Sequence, residues 1–532
     1  MSLSVQRWGL LFTAQRLDCM TNSPKDTRRD STGVATLDNI LRGGLPKGEM
    51  YVINGAPGTG KTTLALHFLS AGIAKQEKVL CLALSQRVES LEESAQSVGL
   101  DTSGITFRDL STVEALQALA DQQTIFDTSE IELAETVNAL VEILEAEQPD
   151  RVVFDGIAYL RLLASDALIY RQQIFKIRDY IYPRNITLLL TDMQELAPGD
   201  NELNAMAHGV IDLSMETTGY GSDHRYLRVA KLRGSGFEPG KHDMEISDRG
   251  LHVYRSHQDT SSASISAKTI SEQILKSDKL GTVKTISSGL SSLDKLVGGG
   301  LLAGTTCLLI GPSGTGKTSM ATSFAHNFAA QGEKASIYLF DELADTFELR
   351  SKGLGMDVTD LIQADRIRLR ELSFGSITPG KFASLVDGDV NEWGAGIVII
   401  DTLTGYLNSM PTKTRLISQM HELMMSLNRR GILTFIIVAQ HGVIGPSLEE
   451  TVDISYLADT VLLLRHFEAY GAIRQAISVY KKRYGVHEKR IREVRLKSGC
   501  IQIGESLDQF SGVLSGTPQY TGEGKDLLKD DD

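Results

Sequence analysis

Two stretches of this chain spell nearly the same thing at a fixed distance. Gly55-Ala56-Pro57-Gly58-Thr59-Gly60-Lys61-Thr62 returns as Gly311-Pro312-Ser313-Gly314-Thr315-Gly316-Lys317-Thr318, an offset of 311 − 55 = 256. The same offset carries Gly33-Val34-Ala35-Thr36-Leu37-Asp38 onto Gly289-Leu290-Ser291-Ser292-Leu293-Asp294, and Gly43-Gly44-Leu45 onto Gly299-Gly300-Leu301. Glu77-Lys78 and Gly99 find Glu333-Lys334 and Gly355 still in register. One offset held through so many landmarks marks a duplicated domain. Each copy alternates short apolar runs with amphipathic stretches, the pattern of a mainly parallel sheet flanked by helices. Strand candidates in copy one are Tyr51 to Asn54, Val79 to Leu82, Val152 to Phe154 and Thr187 to Leu190. Copy two offers Thr306 to Ile310, Ile337 to Phe340, Ile397 to Ile400 and Phe435 to Val438. The fold class is α/β, twice over.

The repeated octapeptide fits the phosphate-binding P-loop: glycine, four residues, then Gly-Lys-Ser/Thr. An apolar run precedes each loop and a helix-like run follows it, the context the motif requires. Glycines let backbone N–H groups turn inward around phosphate oxygens, and the helix N-terminus adds partial positive charge. The residues that would cradle nucleotide are Gly55, Gly58, Gly60, Lys61, Thr62 and Thr63 in copy one. In copy two they are Gly311, Ser313, Gly314, Thr315, Gly316, Lys317, Thr318 and Ser319. Each lysine would reach the β- and γ-phosphates, and the hydroxyls of Thr62 and Thr318 would ligate Mg²⁺. Asp155 and Asp401 end apolar runs, where a P-loop ATPase keeps the aspartate that orients the magnesium shell. ATP and Mg²⁺ are the expected ligands.

Hydrolysis also needs a base for the attacking hydroxyl. Asp341-Glu342 follows the strand candidate after the second P-loop, and adjacent carboxylates beside phosphate can raise one pKa enough to supply it. The alternative reading is a solvated acidic turn. The same offset places Ser85 and Gln86 there in copy one. The two sites should therefore differ: the first binds nucleotide, the second also turns it over.

With 532 residues, the chain expects two to four domains. We divide it into an N-terminal extension (1–28), a first domain (29–256), a Ser/Thr/Ala-rich linker (257–283), a second domain (284–504) and a tail (505–532). The extension and the charged end of the tail read as disordered. A net charge of −13 repels nucleic-acid backbones. The four cysteines are scattered, and Cys81 and Cys307 sit in apolar runs, which fits reduced core thiols in a cytoplasm. No apolar run approaches the length of a membrane span.

These P-loops in tandem RecA-like domains resemble the KaiC family, the circadian-clock ATPases and autokinases, over about residues 32–518. The resemblance implies a homohexamer of two stacked rings with ATP between neighbouring subunits. It implies paired catalytic carboxylates in each domain, which Asp341-Glu342 matches and Ser85-Gln86 does not. It implies a late Lys-x-Arg motif reaching the γ-phosphate of the neighbour, here Lys231 and Arg233 in copy one and Lys481 and Arg483 in copy two. Such a fixed cationic pair offsets charge on the phosphoryl oxygens.

The family phosphorylates a Ser-Thr pair before Asp-Thr and an apolar strand. Here Ser455-Tyr456 precedes Asp459-Thr460, so Ser455 is either a phosphosite or a structural serine at a loop. Residues 510–518 resemble the segment leading to the family's regulatory tail, where Kai-type or other signalling partners bind. The favoured expectation is a KaiC-like ATPase and serine/threonine autokinase acting as a signalling switch, its second domain catalytic. The alternatives are a RecA- or DnaB-like motor on nucleic acid and a scaffold in which ATP only glues a hexamer. The acidic charge and the lack of a Lys/Arg run interleaved with aromatics weigh against nucleic acid.

Overall fold

The computed structural model describes residues 28–110, 128–164, 167–193, 202–217, 223–256, 284–373, 377–409, 416–440, 455–469, 471–514 and 518–520. The linker, all but the last residue of the N-terminal extension, and the tail from 521 onward lie outside the described residues. What is described folds into two compact units.

The first unit is built on nine strands in chain order. They are β1 (Met50–Gly55), β2 (Val79–Ala83), β3 (Thr106–Asp109), β4 (Arg151–Asp155), β5 (Thr187–Met193), β6 (Gly209–Glu216), β7 (His224–Leu232), β8 (His242–Ser247) and β9 (Gly250–Tyr254). Their order across the sheet is β3-β2-β4-β5-β1-β6-β7-β8-β9. The first six run parallel, and β7 and β8 pair antiparallel.

The second unit repeats this with β10 (Thr306–Gly311), β11 (Ala335–Leu339), β12 (Ile367–Glu371), β13 (Ile397–Asp401), β14 (Leu433–Ala439), β15 (Thr460–Ala469), β16 (Ala472–Lys482), β17 (Arg492–Lys497) and β18 (Cys500–Ser506). The order is β12-β11-β13-β14-β10-β15-β16-β17-β18, the same path. Six strands are parallel, and β15 to β18 form an antiparallel meander.

Parallel strands are buried on both faces, which is why they read as continuous apolar runs. In β1, Ile53 joins one core with Leu64, Phe68 and Leu69 of the P-loop helix α1 (Lys61–Ile73). Its neighbour Val52 joins the opposite core with Ile174 and Ile177. The second unit divides likewise, Leu309 packing with Phe324 of α2 (Lys317–Ala330) and Leu308 with Phe382 and Met420. Past Gly504, where the sequence reads as a tail, Leu507 and Val513 are buried against Phe467 and Ala476. Leu507, Phe510, Val513 and Leu514 are spaced with neither a strand's alternation nor a sustained helix period, so the stretch carries no signal of an element. Among the described residues, no helix is long and apolar enough to cross a membrane. Cys81 and Cys307 are buried free thiols, and Cys500 is exposed.

Candidate functional site

In copy two, β10 ends at Gly311 and α2 opens at Lys317. Between them Gly314 and Gly316 stand at φ +80° and +88°, where a side chain would be strained. The helix start carries no side-chain cap, so its first N–H groups face the loop. The Lys317 ammonium donates to the Pro312 carbonyl at 2.7 Å. Burial brings it down to about 8, with Asp401 acting in the opposite direction. Two left-handed glycines, an uncapped helix terminus and a lysine resting on the Pro312 carbonyl make a fit for phosphate.

The Thr318 hydroxyl donates to Asp401 Oδ2 at 2.7 Å. Asp401 is 6% exposed. Burial raises its carboxyl to about 6, the Thr318 hydrogen bond pulling the other way. A hydroxyl and one carboxylate at a strand end are the hard oxygen donors Mg²⁺ takes alongside phosphates. Among the described residues, no cluster of three or more His, Cys, Asp or Glu could hold a metal by itself.

The sheet register tests the offset. Leu339 pairs with Asp401 in copy two, and Ala83 with Asp155 in copy one. Two residues on stand Asp341 and Ser85, so the substitution seen in sequence is real in space. Asp341 Oδ2 accepts from the Thr402 hydroxyl at 2.5 Å. The same hydroxyl accepts from the Gly405 N–H at 2.9 Å. Glu342 is paired with Arg350 at 2.8 Å. Burial raises its carboxyl while Arg350 lowers it. Thr318, Asp401, Thr402 and Asp341 thus form a continuous polar edge beside the P-loop.

Copy one keeps the grip and loses the edge. Gly58 and Gly60 stand at φ +79° and +97°. Lys61 donates to the carbonyls of Gly55 and Ala56 at 2.8 and 3.0 Å. Thr62 donates to Asp155 at 3.1 Å. Thr191 on β5 adds a second hydroxyl to Asp155 at 2.8 Å, where copy two has Ile437. Burial raises the Asp155 carboxyl against both hydrogen bonds. Gly156 follows at φ +94°, and a Cβ there would come within 2.5 Å of the Ser85 Cβ. No threonine fits where Thr402 stands in the other copy.

The Lys-x-Arg motifs lie at the other end of the sheet. Lys481 donates to the carbonyls of Ser455 and Ala458 at 2.9 and 3.0 Å. Arg483 bonds Asp459 at 3.2 Å. Asp459 in turn accepts from the N–H of Thr306, the first residue of β10, at 3.1 Å. The P-loop begins where β10 ends, about 17 Å further along. In copy one, Lys231 and Arg233 hold the carbonyls of Asn204 and Ala205 at 2.8 Å each. Ser455 opens a short 3₁₀ turn, Ser455–Leu457. The structure gathers Lys317, Thr318, Asp401 and Asp341 at one end of β10, and places Lys481, Arg483 and Ser455 at the other end within one chain.

Sequence reasoning passed over Thr402, Arg350 and Thr191. Arg350 had a usable signal, since it follows Glu342 by 8 residues, about two turns along the helix Ala344–Gly353. It also passed over the supports of the loop apex. His466 and Gln475, cross-strand neighbours on β15 and β16, bond the carbonyls of Ser313 and Gly314 at 3.1 and 3.4 Å. Arg225 holds Gly58 of copy one at 3.1 Å.

Fold and site define a protein of two tandem RecA-like P-loop nucleotide-binding domains. The family of KaiC ATPases matches twice, over residues 31–258 and 286–508. The chain belongs to the KaiC ATPase family. It is 23% identical over 496 residues to the circadian clock oscillator protein KaiC of Acaryochloris marina, spanning 92% of this chain and 90% of that one. It is 22% identical to the circadian clock protein KaiC3 of a Synechocystis species, spanning 92% and 95%. Against the KaiC of Synechococcus elongatus the identity is 22%, over 92% and 91%.

Proposed function

We propose that this chain is a KaiC-type ATPase and serine/threonine autokinase working as a signalling switch, with the second domain catalytic and the first holding ATP mainly for assembly. The observation that carries this reading is the polar edge of copy two: Asp341 on Thr402, and Asp401 on Thr318, beside one P-loop. Copy one keeps Thr62 on Asp155 but has Ser85 and Gly156 where Asp341 and Thr402 stand.

In the proposed mechanism, Lys317 and the loop N–H groups would hold the β- and γ-phosphates of ATP, and Thr318 and Asp401 would hold Mg²⁺. When bound, Mg²⁺ would neutralise charge on those phosphates. Asp341 or Glu342 takes the proton of the attacking water or protein hydroxyl. The γ-phosphoryl passes to that oxygen and ADP leaves.

Lys481 and Arg483 lie a strand's length from their own P-loop, so they suit the site of a neighbouring subunit, where they would offset the charge on the transferring phosphoryl group. Lys231 and Arg233 suit the first-domain site of a neighbour in the same way. That arrangement favours a homohexamer of two rings with ATP at the subunit interfaces. Ser455, beside Lys481, would meet the same neighbouring site and is the proposed acceptor. Kai-type or other signalling proteins are the proposed partners, and the cytoplasm the proposed location.

Incubation with γ-labelled ATP tests the reading. Free labelled phosphate marks the ATPase, and label on Ser455 marks the autokinase. Neither product would leave an ATP-bound scaffold.

A further inference from the structure

Glu342 does not stand alone. Its carboxylate is bonded at 2.8 Å by Arg350, which stands about two turns into the helix Ala344–Gly353 that follows it. The guanidinium lies 5.3 Å from the ring centroid of Phe347, which is fully buried. The charge therefore rests on a fixed platform, although its side chain is 34% exposed. Its field reaches beyond Glu342 to Asp401, which Glu342 and Arg350 influence in opposite directions. Asp341, the neighbouring carboxylate, is tethered separately through Thr402.

The duplicated domain supplies a second, independent observation. The helix Val88–Ser97 of copy one lies 256 residues before Ala344–Gly353 at both of its ends. At that offset Glu342 becomes Gln86 and Arg350 becomes Ser94. Ser94 turns its hydroxyl back to the Ser90 carbonyl at 2.7 Å. Carboxylate and cation are both present in one copy and both missing from the other. A pair serving only to brace the helix would have as much use in copy one.

We propose that Arg350 is a positioning residue of the second nucleotide site, the fixed countercharge that holds the Glu342 carboxylate next to Asp341 at the exit of β11 and so sets it for catalysis. In this role Arg350 acts through Glu342, to which it is bonded. This rests on the reading of the second site as the one that hydrolyses ATP.

The test is steady-state ATP hydrolysis by the full chain carrying Arg350→Gln, Arg350→Lys, Glu342→Gln and the double substitution Glu342→Gln/Arg350→Gln. Arg350→Gln should lower kcat about 10- to 100-fold and change KM less than about threefold. Arg350→Lys should recover part of the loss, because it keeps the charge but not the fork geometry. The double variant should fall no further than Glu342→Gln, because both act through one group. Thermal unfolding of each variant identifies one that merely loses its fold, and Arg350→Lys supplies the answer if Arg350→Gln does. Arg350→Gln within twofold of the parent, with Glu342→Gln impaired, overturns the proposal. So do losses that multiply in the double variant. If Lys317→Ala and Glu342→Gln both leave turnover unchanged, the hydrolytic reading of the second site fails, and this proposal fails with it.

Discussion

The two domains share a scaffold and differ at its edge. Strand order, P-loop conformation, lysine anchorage and the threonine–aspartate pair repeat from one to the other. What changes is the exit of the strand next to the aspartate: Ser85 facing Gly156 in one, Asp341 facing Thr402 in the other. In the proposed reading, holding a nucleotide and cleaving it draw on separable residues. The first set lies in one contiguous loop, while the second is assembled from two strand ends and the helix that follows each.

The largest expected effect comes from cutting the shared element in one copy only. Lys317→Ala should abolish second-site turnover, at least about 100-fold in total ATP hydrolysis. Lys61→Ala should instead weaken first-site nucleotide binding and leave most turnover intact. Equal losses in the two variants would erase the distinction between the domains, and single-turnover assays with the purified proteins measure it.

Next come the carboxylates. Asp341→Asn should lower kcat about 100-fold or more with KM nearly unchanged, the pattern of a group acting on the reacting hydroxyl. A rise in KM alone would assign Asp341 to binding.

Restoring copy one should do far less. Ser85→Asp, assayed in a Lys317→Ala background, is expected to add less than about threefold. The new carboxylate meets Gly156, which offers no hydroxyl, and φ of +94° there disfavours a threonine. Recovery to second-site rates would show that the strand exit alone decides activity.

The smallest effect concerns stability. His67 on α1 is part-buried, and its Nε2 accepts the Leu251 N–H at 2.9 Å. Burial lowers its pKa to about 4, with His252 adding to the shift. A histidine held neutral in the fold is protonated more readily once unfolded. Its contribution is therefore intact above about pH 6.5 and is lost progressively as pH falls to about 4. Discounted for its partial exposure, the loss amounts to about 1–2 kcal/mol. Copy two has Ser323 there. His67→Ser should therefore narrow the first domain's gap in melting temperature between pH 7 and pH 4.5.

The sequence made the fold class legible because its evidence is local. A P-loop is eight consecutive residues, and a strand buried on both faces announces itself as an apolar run. Asp155 and Asp401 were readable for the same reason, each closing such a run. The tether on Asp341 was not, because Thr402 is 61 residues away and arrives through a sheet neighbour. Thr191 reaches Asp155 across 36 residues in the same manner. The antiparallel strands β16 to β18 mix exposed polar and buried apolar positions, so they lack the unbroken apolar signal of the parallel ones. The Lys-x-Arg motif was visible as a motif, but its place at the far end of the sheet was not, since distance along a strand has no signature in residue type.

That placement gives the second domain's sheet two unlike ends. The P-loop crowns β10 at one edge, while Lys481 and Arg483 gather at its foot. Suppose such chains join foot to crown. An open row of n chains then contains n − 1 complete pairings, with a spare crown at one terminus and a spare foot at the other. Closing the row into a ring uses up both. A subunit damaged only at its foot would silence its neighbour's pocket and leave its own in service, so mixing crown-defective with foot-defective chains should regenerate intact pockets that neither forms by itself.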